Sequence, residues 1–283
     1  MEVLSNWRHR PRRCALLLLL ALLPAACAAP PPPAMPPPLP YPPSVRERML
    51  HIALAEWTDW GRIVLDADTP RESRPDLPGP ESALASFPRV LAYWRAVAEG
   101  AGPIARNRVL YAEALAQPGL QVGLWQEPAW SAAFISFVMR TAGVDRREFP
   151  PSAAHAFYLD ALLADAGRFP ATAPFLPHDW TDYAPEVGDL ICADRSARPL
   201  RHWQERLEEA GQFRPMHCDI VVTVAPGVVE AVGGNVADAV TLSRFPTDPA
   251  GRLLARPANG PTWFAVLENR LGRLPPWNWR TAS

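Results

Sequence analysis

The chain has 283 residues, 48% of them hydrophobic and 20% charged, with a formal net charge of −1. That apolar share suffices for one sizeable core and excludes an intrinsically disordered chain. The near-neutral balance also excludes a broad basic surface of the kind that nucleic acid requires.

Residues 1–27 have the make-up of a processing signal. Arg8, Arg10, Arg12 and Arg13 form a positive start, and Leu16 to Leu23 is an apolar run too short to span a bilayer. The segment Leu22-Leu23-Pro24-Ala25-Ala26-Cys27 resembles a bacterial lipobox, in which Cys27 is the site of lipid attachment. Pro24 departs from the usual aliphatic residue, so cleavage after Ala26-Cys27-Ala28 stands as the alternative. Residues 28–43 are nearly all Pro and Ala, which predicts an extended tether between the anchor and one α+β domain over residues 44–283.

From Ser44 the pattern becomes helical, with Val45, Met49, Ile52, Ala53, Trp57 and Trp60 on one face. A second helical segment is expected over Glu81–Glu99, interrupted at Pro88, and a third over Ile104–Ala116. These belong to an N-terminal helical part, residues 44–120, which serves as scaffold. The stretch Glu127 to Gly143 reads as a short buried helix: Pro128 suits a helix start, Trp130, Phe134, Ile135, Phe137 and Val138 recur at helical spacing, and Gly143 suits the left-handed stop. Ser131 falls in its first turn, where unpaired amide N–H groups and the positive end of the dipole favour developing negative charge. A serine there is also a common structural residue.

Pro151 and Ser152 open another helix that carries His155 and Tyr158 one turn apart, where both can line a pocket with Trp130. After the Pro-rich segment 170–186, strands are expected at Val187–Cys192, Met216–Val224, Val228–Val232, Asp238–Arg244 and Thr262–Leu267, with a helix at Trp203–Ala210 in the insertion between the first two. Helices first and an antiparallel sheet afterwards is an α+β pattern. A hydroxyl becomes a nucleophile when a base lies within hydrogen-bond reach and a third group orients that base. Ser131, His217 at the head of a strand and Asn235 at the end of the next are the residues of the right types, with Asp219 and Glu230 as other candidates for the third member.

Four stretches carry a resemblance: Pro128 to Gly143; Val187-Gly188-Asp189-Leu190; His217-Cys218-Asp219-Ile220-Val221-Val222; and Val232-Gly233-Gly234-Asn235-Val236-Ala237-Asp238-Ala239-Val240. In order and spacing they resemble the papain-like cell-wall hydrolases of the CHAP and NlpC type, over residues 125–245. The chain also resembles an uncharacterised bacterial group in which Ser replaces the nucleophilic Cys. The resemblance implies a papain-like core over residues 121–270 and amide-bond cleavage in peptidoglycan stem peptides. Ser131 would be the nucleophile, His217 the general base and Asn235 the orienting group, with no cofactor and no metal. The departure lies at Ser131, because a thiol ionises far more readily than a hydroxyl. A catalytically silent lipoprotein that binds cell-wall peptides or an envelope partner, and a serine esterase, are therefore the alternative functions. The absence of a Gly-x-Ser-x-Gly elbow around Ser131 counts against the esterase.

Of the 4 cysteines, Cys192 and Cys218 fall on strands expected to be neighbours, where a cross-strand disulfide in an oxidising compartment or simple packing is expected. The alternative that one of them replaces the missing nucleophile is disfavoured because Cys218 should point away from the face of His217. The expected setting is the bacterial envelope, with the protein held at a membrane by Cys27 and contacting peptidoglycan.

Overall fold

In the computed structural model, residues 44–66, 79–257 and 260–272 are described. The signal segment, Cys27 and the tether expected over residues 1–43 lie outside them. Helix α1 (Ser44–Asp59) buries Val45, Met49 and Ala53, one row along its apolar face. Trp57 closes the helix end by donating its indole N–H to the Ile63 carbonyl at 2.8 Å. The chain then adds a three-residue strand, β1 (Val64–Asp66), that pairs in parallel with a strand far away in sequence, β6 (Thr241–Pro246), in the register Val64↔Leu242.

Two short 3-10 turns, Pro80–Ser82 and Leu84–Ser86, precede α2 (Phe87–Trp94). Pro88 does not interrupt this helix. It lies in the first turn, where the missing N–H costs nothing. Helix α3 (Ala101–Ala116) follows, then α4 (Ser131–Ala142) and α5 (His155–Arg168). Gly143 closes α4 in the left-handed conformation at φ 90°, as its position in the sequence predicts. The helix begins at Ser131 rather than at Pro128, and the Glu127–Pro128 peptide is cis.

The remaining strands are β2 (Phe175–His178), β3 (Leu190–Asp194), β4 (Met216–Ala225), β5 (Val228–Gly233) and β7 (Thr262–Asn269), with the one-turn helix α6 (Glu205–Glu208) between β3 and β4. Together with β1 and β6 they form one seven-stranded sheet in the order β1-β6-β5-β4-β3-β7-β2. The fold class is α+β, but the sheet is mixed and larger than the small antiparallel one expected. The two strands missed are its edges. β1 is too short to display a period, and β2 contains Pro177, which an edge tolerates because one side of the strand needs no N–H.

Leu190, Cys192, Cys218, Ile220, Val232, Phe264 and Leu267 join α1, α4 and α5 in the larger core. Ile191, Ala193, Val221, Val229, Ala231, Phe245, Trp263 and Val266 form a second cluster, covered by Leu253, Trp180 and Tyr183. Burial on both faces explains the continuous apolar runs of β3 and β4. The expected disulfide links Cys192 to Cys218, which face each other in the β3–β4 register. Asp189, in the Val-Gly-Asp-Leu stretch, is a structural residue: its carboxylate accepts the N–H groups of Glu186 and Asn269 at 2.8 Å each and ties the start of β3 to the end of β7. Among the described residues no helix is long and apolar enough to cross a membrane.

Candidate functional site

Three chain segments converge on Ser131. The first is α4 itself, whose first residue is Ser131; no side chain caps its N-terminus. The first helical bond runs from the Phe134 N–H to the Trp130 carbonyl at 2.9 Å, so the amides of Ser131, Ala132 and Ala133 come before any intrahelical partner. The second segment is the start of α5. Ser136, on the buried side of α4, bonds both backbone groups of Ser152 at 3.1 Å, and Ser152 Oγ in turn accepts the Ala154 N–H at 3.1 Å. This bridge fixes where α5 begins and sets its first residue, His155, against Ser131. The third segment is the head of β4, which delivers His217 and Asp219.

The contacts are specific. Ser131 Oγ lies 2.7 Å from His155 Nε2, and His155 Nδ1 lies 2.5 Å from the Tyr158 hydroxyl. The His217 ring centroid stands 5.4 Å from that of His155, and His217 Nε2 donates to Asp219 Oδ1 at 2.9 Å. His217 Nδ1 is buried and has no hydrogen-bond partner among the described residues. Ser131, His155 and His217 are only 7%, 4% and 9% exposed, so charges in the site are poorly screened by water.

Two groups titrate far from their usual ranges. Burial, the neighbouring His217 and then Arg195 hold His155 well below the usual imidazole range, so it is neutral and available as a proton acceptor at neutral pH. Burial and the charge of Asp219 push the Tyr158 hydroxyl well above its usual range, which keeps it protonated. When the Nδ1–H of His155 is donated to the Tyr158 oxygen, the Nε2 lone pair faces Ser131. That tautomer is the one proton transfer from Ser131 requires.

Glycines make the approach possible. A Cβ on Gly233 would collide with the Asp219 carboxylate and crowd His217 Nε2, and one on Gly234 would run into the side chain of Phe134 on α4. The Gly-Gly pair therefore lets the end of β5 lie directly against both the His217–Asp219 pair and the helix that begins at Ser131.

Several assignments made from the sequence change partners. Ser131 is bonded to His155, which had been expected only to line the site, and not to His217. Asn235 was expected to orient His217, but Asp219 does so. Asn235 Oδ1 instead accepts the Trp130 N–H at 3.2 Å, while its Nδ2 donates to Glu81 at 3.0 Å. Glu230 pairs with Arg244 across β5 and β6 at 3.0 Å. Trp130 is fully buried and stacks on Trp60 at 5.5 Å, so it forms the wall behind Ser131. Glu81 and Ser136 were missed. Neither stands in a motif, and the only signal for the close approach was the unbroken Gly233-Gly234 at a strand end. Among the described residues no group of three His, Cys, Asp or Glu could hold a metal ion.

A family model described as "Uncharacterized protein conserved in bacteria (DUF2272)" matches residues 82–269, more than half of the chain. No curated protein and no solved structure matches.

Proposed function

The chain belongs to DUF2272, a family of uncharacterized bacterial proteins, and for this member we propose an acyl-bond hydrolase in which Ser131 is the nucleophile and His155 the general base. The observation that carries the proposal is the 2.7 Å contact between Ser131 Oγ and His155 Nε2 at the start of a helix. Ser131 Oγ attacks the acyl carbon as its proton passes to Nε2. The imidazolium then returns that proton to the leaving group, and water repeats the cycle on the acyl-enzyme. The carbonyl oxygen gathers negative charge as the attack proceeds, and the free amides of the first turn of α4 are placed to receive it. His217, oriented by Asp219, supplies a second proton acceptor beside the first.

For the substrate we propose an amide bond in the stem peptides of peptidoglycan, with a papain-like relationship to the CHAP and NlpC hydrolases. The support is the order of the four sequence stretches and the signal-like, lipobox-like start of the chain. A membrane-anchored envelope protein is the matching location. The low exposure of Ser131 favours a second reading, in which the site binds a cell-wall peptide or an envelope partner without cleaving it.

Reaction with a fluorophosphonate probe, read by intact mass, separates the two. Labelling that maps to Ser131 is expected, with none in Ser131→Ala and a loss of roughly 10²- to 10⁴-fold in rate in His155→Ala, the usual share of a general base. His217→Ala should lose less. An unlabelled protein that also leaves muropeptide and ester substrates intact would sink the hydrolase and leave the binding protein.

A further inference from the structure

Glu81 takes no part in the chemistry described above, yet it lies under the start of the nucleophile's helix. It is buried, and it faces no arginine or lysine in any hydrogen bond or ion pair of the described residues. One of its oxygens, Oε2, accepts the Trp130 indole N–H at 2.6 Å and Asn235 Nδ2 at 3.0 Å. Asn235 Oδ1 then accepts the backbone N–H of Trp130 at 3.2 Å. The three residues close a ring of hydrogen bonds that grips Trp130 by both its backbone and its side chain. Trp130 is the residue immediately before Ser131, and its carbonyl receives the first bond of α4.

The ring also holds a strained turn. Between β5 and β6, Asn235, Ala237 and Asp238 all adopt left-handed φ values of 56°, 55° and 60°. Such conformations cost a non-glycine residue energy and persist only where surrounding contacts impose them. Here Glu81 bonds Asn235, and Gly79 lies so close to Asp238 that no Cβ fits between them.

On the reading of Ser131 as nucleophile, we propose that Glu81 is its positioning residue: acting through Trp130 and Asn235, it sets the first turn of α4 and with it the Ser131 amide that receives the oxyanion. Glu81 touches neither Ser131 nor the imidazoles. Its charge matters because an ionised carboxylate accepts two bonds on one oxygen more strongly than a neutral one. Burial first, and then the Asp238 carboxylate, raise Glu81 to about 7, against the opposing pull of its bonds to Trp130 and Asn235. The groups facing this cluster are Asp238 from the β5–β6 turn; Tyr93 with its partner Glu56 and the neighbouring Arg89 behind the Trp130 ring; and His155 and His217 beyond Ser131.

The test is a pH titration of the purified protein by ¹⁵N–¹H correlation spectroscopy, following the Trp130 indole N–H and the Ser131 amide. Both should shift together with a midpoint near 7, keep that midpoint in His217→Ala, and lose it in Glu81→Gln. The rate of fluorophosphonate labelling should rise through the same pH. In Glu81→Gln it should be lower by about tenfold above that pH and insensitive to it, because the neutral amide oxygen of Gln accepts the two bonds more weakly than a carboxylate and does not titrate. A Ser131 amide that stays unshifted while the Trp130 indole titrates would overturn the proposal, as would a common shift that survives in Glu81→Gln. Absence of labelling in the unaltered protein at every pH would instead count against the nucleophile, and the two N–H shifts would still decide the role of Glu81. The titration of the unaltered chain needs no variant to fold.

Discussion

A single Cβ is expected to dismantle part of the site. Gly233→Ala would drive a methyl group into the Asp219 carboxylate, so Asp219 or the end of β5 must move and His217 loses its orienting bond. The cost should be about 1–3 kcal/mol, as for other overpacked positions, with a lowered denaturant midpoint. The His217 ring resonances should lose their coupling to Asp219. On the proposed function, the pH dependence of labelling at Ser131 is also decided by single residues. Burial and the neighbouring His217 hold His155 well below the usual imidazole range, so its neutral, proton-accepting form persists into mildly acid solution, and loss of the base should appear only there. Glu81, raised to about 7, should add a separate limb at higher pH. Labelling rates should therefore fall in two steps on acidification, and Glu81→Gln should keep only the lower one. Stability follows with the opposite sense. A carboxyl raised on folding binds its proton more tightly in the native state, so its contribution is fully present below about 4.5 and is lost as pH rises through about 7. The melting temperature of Glu81→Gln should gain on that of the unaltered protein across this window.

Between elements, the site depends on how α4 meets α5. Ser131 and His155 are 24 residues apart in sequence, and nothing in either helix alone brings them together. Ser136 does so by bonding the N–H and C=O of Ser152 in the segment that leads into α5. Ser136→Ala would leave both of these buried backbone groups unpaired, at about 1–3 kcal/mol. It should slow labelling more than a surface substitution of equal thermal cost, because His155 drifts from Ser131. The elements themselves were largely legible. α1, α3, α4, β4, β5 and β7 lie close to the residues expected from their apolar periods. α5 was placed too early by Pro151 and Ser152, which form the bridge rather than the first turn. Only a contact from another helix distinguishes these two roles.

At the scale of the molecule, the matched family region begins at residue 82, yet earlier residues complete the core. α1 packs on α4, and β1 supplies one edge of the sheet. A protein beginning at residue 79 would expose the surface that Val45, Met49 and Ala53 cover. It should lose cooperative thermal unfolding, as followed by circular dichroism, while retaining much of its helix and strand content. Such a result would place α1 and β1 inside the folding unit. What the sequence determined alone was the α+β class, a buried helix with Ser131 near its start and Gly143 at its end, and the placing of Cys192 and Cys218 on neighbouring strands. Each of these follows from local periods, helix-end preferences or side-chain chemistry. The partners were decided only by the tertiary structure. His155 rather than His217 meets Ser131, Asp219 rather than Asn235 bonds His217, and Glu81 grips Trp130, the residue before Ser131, across a separation of 49 residues. These choices depend on distances of a few ångströms between distant segments. They are set by how closely Gly233, Gly234 and Ser136 let helix, strand and turn approach, which no period along the chain records.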